Sequence, residues 1–279
     1  MDGIICSLVI AARNEEAFIK DCLESLENQS YSRLKYEITV ADGMSEDRTV
    51  KKVKEIQKLY CNIMLLNNPS KTASAGFNAG IQHSRGKYVF ILGAHAWYPF
   101  EFVEKSINSL EKNNVDCVGG RVVYTGGSKI GEVFGVVRNT AFGGGLSPYR
   151  YSCKMQYVKT VAFGCYKKEA LTGAGGFDER LVKNQDNDLN KRIANSGGKI
   201  LFDPEIESYY HTRDSLKDIF SQMSGYGLWE ARLIKMRVEQ MSPAALVPVL
   251  FVIYTIMALA VFVIKGVVFP ILAETVLYL

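Results

Sequence analysis

Four short apolar runs, IICSLVIA (4–11), YEITVAD (36–42), NIMLLN (62–67) and KYVFILG (87–93), alternate with stretches of helical periodicity over the first third of the chain. Ala17, Phe18, Cys22, Leu23 and Leu26 recur at helical spacing after the first run, and residues 46–59 and 73–84 fill the next two gaps. Strand, helix, strand at this rhythm folds as right-handed βαβ units, which predicts an α/β protein with an open, mostly parallel sheet flanked by helices. In such sheets ligands sit beyond the carboxyl ends of the strands. Those ends carry Arg13, Asn14 and Glu15, then Asp42, then residues 67–72, then Gly93 to His95. A polar crevice follows from the order alone.

Beyond it the pattern predicts a helix near 100–112, a strand near 115–124, Gly-rich loops around TGGS and FGGGLSPYR, and a strand at VAFGCY. A helix from about 186 to 195, strands at KILFD and IESYYH, and an amphipathic helix over 215–231 complete the soluble part. Gly143 to Gly145 follow no strand and precede no Lys-Ser/Thr, so they read as loop rather than phosphate cradle.

Frequent Ile, Val, Leu and Phe with only 7 prolines exclude a disordered chain. A net charge of +4 without a basic stripe excludes a dedicated nucleic-acid binder. The six cysteines, at 6, 22, 61, 117, 153 and 165, make no CxxC, and with three histidines they supply no zinc pattern. They read as reduced thiols, and the N-terminus reads as carrying no signal peptide.

From Ala244 to Ile264 there is no charged residue. Such a stretch at 1.5 Å per residue spans about 31 Å, the thickness of a bilayer core, and predicts a transmembrane helix. Arg232, Lys235 and Arg237 precede it and Lys265 follows, which predicts a cytoplasmic catalytic part at the cell membrane. The apolar tail up to Leu279 reads as the start of a second membrane segment or as an interfacial tail. The expected organisation is a catalytic domain over 1–214, a juxtamembrane helix over 215–240 and membrane segments over 241–279.

Four segments in order, LVIAARNEEAFIKDCLESLENQSY, ADGMSEDRT, GGFDERLVKNQDNDLNKRI and QMSGYGLW, resemble glycosyltransferase family 2, especially the membrane-attached succinoglycan and exopolysaccharide type of bacterial enzyme. The resemblance covers about residues 4–232. It implies a GT-A fold that takes a sugar from a nucleotide-sugar, usually a UDP-sugar, and transfers it with inversion. It also implies a lipid-linked saccharide as acceptor, for surface polysaccharide synthesis. Transfer directly to polyprenyl phosphate or a lipid, and a non-catalytic nucleotide-sugar-binding scaffold, stand as alternatives.

The same resemblance distributes roles. Asp186, opening the NDLNKRI helix, matches the general base that takes the acceptor proton. At a helix N-terminus it is expected to stay ionised, and the alternative is a plain cap. Arg13, Glu15 and Asp42 match the nucleotide pocket; Asn14 and Glu15 could instead cap the first helix, and Asp47 is the better cap for the second. Lys71, Asn78 and His95 are further donor-side candidates, while Gln222, Trp229 and Arg192 are candidates for the acceptor and the leaving diphosphate. Asp188 and Arg192, at i, i+4, could equally pair with each other. Two departures stand out. Gly93 occupies the place of the first acidic metal ligand, leaving His95 as a lone imidazole, and Gln185 replaces the usual Glu before the base. Mg²⁺ and Mn²⁺ prefer oxygen donors, so both changes put a divalent ion in doubt.

Overall fold

The computed structural model describes residues 3–140, 147–235 and 247–265. Gly143 to Gly145, residues 236–246 and the apolar tail over 266–279 lie outside the described residues. The chain divides into two compact units, residues 1–226 and 227–279.

The first unit is built on one sheet. Strands β1 (Cys6–Ala12), β2 (Tyr36–Asp42), β3 (Ile63–Asn67) and β4 (Tyr88–Gly93) run parallel in the order β3-β2-β1-β4. Helices α1 (Ile19–Glu27), α2 (Thr49–Gln57) and α3 (Ala73–His83) make the three crossovers. The period-2 alternation of a strand sends alternate side chains to opposite faces. Leu8, Ile10, Ile38, Val40, Phe90 and Leu92 pack with α1, α2 and α4 (Phe102–Lys112). Val9, Val89 and Ile91 meet Phe77 and Ile81 of α3 on the other face. α3 lies so close to β1 that a Cβ on Gly80 would come within 2.1 Å of Val9, which only glycine permits.

The rest of the sheet departs from the mostly parallel expectation. β8 (Cys165–Lys167) runs antiparallel between β4 and β6 (Cys117–Thr125). β6 pairs parallel with β9 (Ile200–His211), whose far side takes β5 (Ala96–Trp97) and β7 (Gln156–Tyr157) antiparallel. The sheet is therefore mixed. KILFD and IESYYH form one strand rather than two, interrupted by a register shift opposite Gly119 and Arg121 that accommodates Pro204. VAFGCY is a strand only at its end, because Phe163 takes a left-handed φ of 50°. A Ser128-capped helix, α5 (Lys129–Arg138), stands where the Gly-rich sequence suggested loop. Helices α6 (Lys168–Gly173) and α7 (Gln185–Asn195) cover the second face through Leu171, Leu189 and Ile193.

α8 (Leu216–Lys235) starts in the first unit and ends in the second, which also holds α9 (Val247–Lys265). The expected transmembrane helix is not established: among the described residues no helix is long and apolar enough to cross a membrane.

Candidate active site

The parallel register brings Ala12, Asp42 and Asn67 side by side, with Gly93 opposite Ala11. Asp42 is buried, with 4% of its surface exposed. Its Oδ2 accepts the Ser45 N–H at 3.0 Å, while among the described residues its buried Oδ1 has no hydrogen-bond partner. A buried polar atom left unpaired costs about 1–3 kcal/mol, which sets this oxygen apart from the other strand-end groups. Arg13 is exposed beside it, its Cβ 3.1 Å from where a Cβ on Gly43 would stand.

The loops after β1 and β2 are stitched together. Asn14 N–H donates to Ser45 Oγ, Glu15 N–H to Thr49 Oγ1 and Glu16 N–H to Asp47 Oδ2. Asp47 also accepts from Thr49 N–H, although it stands one residue before the N-cap of α2, which is Arg48. Lys71 sits exposed in the loop after β3, its N–H bonded to Asn68 O, and Asn68 N–H in turn bonds Asp42 O.

Six non-glycine residues among those described have positive φ, and five belong to this region: Asn14, Met44 and Lys71 past the first three strands, Phe163 against Gly93, and Asn184 capping α7. Left-handed backbone at non-glycine residues costs roughly 1–2 kcal/mol apiece. Such strain concentrates where a site over-determines the geometry.

Glu15 Oε1 lies 3.0 Å from His95 Nδ1, joining the end of β1 to the turn after β4. The His95 ring meets Tyr210 edge-on, with centroids 4.6 Å apart. Gln222 Nε2 reaches the Tyr210 hydroxyl at 3.5 Å, the outer limit of a hydrogen bond. Tyr210 also packs on Tyr124 at 5.2 Å. His211 donates its N–H to His95 O and stacks on Phe18. Burial, helped by the neighbouring His95, holds its imidazole below the usual range against the pull of Asp21 and Asp214. Tyr210, His211 and Phe163 carried no recognisable spacing in the sequence, since an aromatic or histidine in a strand reads equally as core.

Asp186 is the second residue of α7, its Oδ1 accepting the Asn187 N–H at 3.0 Å. Burial pushes its carboxyl above the ordinary aspartate range, outweighing the backbone N–H groups and the Arg150 guanidinium that pull the other way. The helix N-terminus therefore does not keep this group strongly acidic, as the sequence suggested; dehydration makes it a better base. Its charge is felt by Tyr149, Tyr166 and Tyr226. Tyr226 acts in turn on Tyr210.

Three candidates have other work. Asn78 Oδ1 accepts Phe177 N–H at 2.8 Å, and its Nδ2 donates to Phe177 O and Glu179 Oε1, both at 2.9 Å. The amide is a clamp between α3 and the GGFDE turn, with both its oxygen and its nitrogen engaged there. Ser74 Oγ makes a second tie to Leu181 O, five residues before the base. Arg192 is held by Asp188 Oδ2 at 2.7 Å, the expected i, i+4 pairing, and donates to Ala174 O. Trp229 belongs to the second unit, where Arg232 lies over its ring at 5.0 Å.

The residues present do not fit an ion held by the protein. Among the described residues no three His, Cys, Asp or Glu side chains converge. A Cβ on Gly93 would stand 2.8 Å from the Phe163 ring, so no carboxylate has room there, and His95 Nδ1 already faces Glu15.

Residues 7–137 match the family model for glycosyl transferase family 2. A dolichyl N-acetyl-alpha-D-glucosaminyl phosphate 3-beta-D-2,3-diacetamido-2,3-dideoxy-beta-D-glucuronosyltransferase of Methanococcus voltae is 31% identical over 237 residues, covering 82% of this chain and 74% of that protein. Succinoglycan biosynthesis protein ExoA of Rhizobium meliloti is 26% identical over 251 residues, covering 88% of this chain and 76% of the relative. Among solved structures, a mannosyltransferase of Pyrobaculum calidifontis in complex with GDP-Man and Mn²⁺ superposes with a TM-score of 0.64 at 18% identity, covering 88% of this chain and 67% of the other. That likeness establishes the GT-A-like fold: a mixed sheet with flanking helices. By these matches the chain belongs to glycosyl transferase family 2 and is a glycosyltransferase.

Proposed function

We propose that the enzyme moves a sugar from a UDP-sugar to a lipid-linked saccharide, with inversion, in the synthesis of a surface polysaccharide or glycan. The observation that carries this reading is Asp186, a carboxylate in the first turn of α7 whose titration is raised by burial, in a chain whose β2 ends on Asp42 with a buried Oδ1 that has no partner among the described residues. Asp42 Oδ1 accepts an N–H or O–H of the base or ribose, while Arg13 and Lys71 face the diphosphate from the rim. Asp186 takes the proton of the acceptor hydroxyl as that oxygen attacks C1, and the C1–O bond to the nucleoside diphosphate breaks.

The acceptor class rests on the Methanococcus relative, named for transfer to a dolichyl-phosphate-linked sugar, and on the succinoglycan relative. The donor base follows the family resemblance, and the GDP-Man of the structural neighbour makes guanine the comparison to test. Residues 1–214 form the catalytic domain, 215–240 a juxtamembrane helix, and 241–279 the membrane segment, with catalysis on the cytoplasmic side. Supporting this are the exposed apolar side chains of α9, among them Leu250, Ile256, Met257, Val263 and Ile264, which no water-facing helix would carry in such density. Membranes carrying the full chain, supplied with UDP-, GDP- and CDP-sugars and read by mass spectrometry, test the reading. Expected is a UDP-dependent glycosylated lipid-linked saccharide that disappears with D186N; a product on bare polyprenyl phosphate alone overturns the acceptor assignment.

A further inference from the structure

The end of β4 is fixed from two sides. Gly93 N–H donates to the Tyr98 hydroxyl at 2.9 Å, and that hydroxyl and the Cys22 thiol both donate to Gly93 O. On the opposite side, Ile91 N–H bonds Gly164 O at 3.0 Å, which anchors the backbone immediately after Phe163. Phe163 itself is held at φ 50°. Its ring meets Tyr98 edge-on at 5.8 Å and lies near-parallel to Tyr210 at 6.4 Å. Neither backbone can retreat cheaply, so the 2.8 Å between the ring and a Cβ on Gly93 is a real obstruction.

We infer that Phe163 is a specificity residue: its ring takes the space in which a side chain at position 93 would ligate an ion, so the donor diphosphate is bound without a protein-held divalent cation. The inference rests on the nucleotide-sugar reading of the site. The ring instead forms an apolar wall of the donor cleft, and the charge of the diphosphate falls to side-chain cations of the rim. Lys183, beside α7, is such a group: its ammonium lies over the Tyr226 ring at 4.3 Å. Burial first, and the Arg213 guanidinium second, hold it below its usual range. Among the described residues neither Lys183 nor Arg213 forms an ion pair.

The experiment uses the full chain in detergent, with Mn²⁺ alone followed by electron paramagnetic resonance and UDP followed by calorimetry with and without EDTA. Expected are UDP binding indifferent to EDTA in the wild type, and Mn²⁺ affinity that rises about tenfold or more in G93D/F163A but not in F163A. Tight Mn²⁺ binding by the wild type, or a tenfold loss of UDP affinity with EDTA, overturns the inference. Uptake of Mn²⁺ by the double variant with no UDP binding in any variant would remove the donor reading and leave the obstruction standing. Thermal melts give an independent reading: G93A lowers Tm in the wild-type background and not in F163A, whereas equal losses in both overturn the clash.

Discussion

Glu15 Oε1 and His95 Nδ1 meet at 3.0 Å, so two side chains 80 positions apart in sequence share one hydrogen bond at the floor of the crevice. A carboxylate on Nδ1 selects the tautomer with its proton there and leaves Nε2 as an acceptor facing elsewhere. Replacing the carboxylate by an amide weakens that choice. E15Q is expected to keep the fold and raise the donor KM by about three- to tenfold, on the order of 1 kcal/mol for a hydrogen bond to a charged group. Initial rates at varied donor concentration check it; an unchanged KM would detach the pair from the donor.

Asp186 gives a kinetic prediction with a defined sign. D186N is expected to cost about a hundredfold or more in kcat. The wild-type carboxyl titrates above an ordinary aspartate, so kcat should rise with pH along an acid limb displaced upward from the usual aspartate range. Stability has the opposite slope. A raised folded pKa means that the native state binds the proton more tightly, so folding stability falls as pH climbs from the unfolded value through the folded one. D186N removes that fall, and Tm measured across the same pH window reads it directly.

At Asp42 the prediction is for affinity. Its Oδ1 is buried and without a partner among the described residues, so the apo protein gains nothing from this oxygen that a ligand would not supply. D42N is expected to lower UDP affinity about ten- to a hundredfold, from the loss of a charge-assisted hydrogen bond, with Tm nearly unchanged. Calorimetry with UDP and a thermal melt on the same sample separate the two effects.

Asn78 is expected to behave in the reverse way. Its three hydrogen bonds all run to Phe177 and Glu179, so N78A should destabilise by about 1–3 kcal/mol and lower Tm by several degrees. Donor KM measured well below that Tm should stay within about twofold, the scatter between sites that do not touch the ligand. A selective rise in KM without loss of Tm would return Asn78 to the donor site.

Much of this arrangement is legible in the residues. The first four strands are fixed by apolar runs of the right length, and β2 runs from Tyr36 to Asp42 as its pattern predicts. Asp42 and Asp186 are found because strand-end and helix-start positions are local features. What stays hidden depends on tertiary approach: the mixed half of the sheet, the left-handed turn at Phe163, and α5 inside a Gly-rich stretch. The first helix begins at Ile19 rather than at Asn14, because residues 14–16 spend their N–H groups on Ser45, Thr49 and Asp47 instead of on a helix. The upward titration of Asp186 is equally invisible in sequence, since the burial that causes it is a product of tertiary packing.

The two ties from α3, Ser74 to Leu181 and Asn78 to Phe177, give that helix a mechanical office as well as a packing one. Its first turn follows the Lys71 loop, and its side bolts down the segment leading into Asp186. Any displacement of that stiff rod is therefore shared by the segment leading into Asp186, so the Lys71 loop and the head of α7 keep a common alignment.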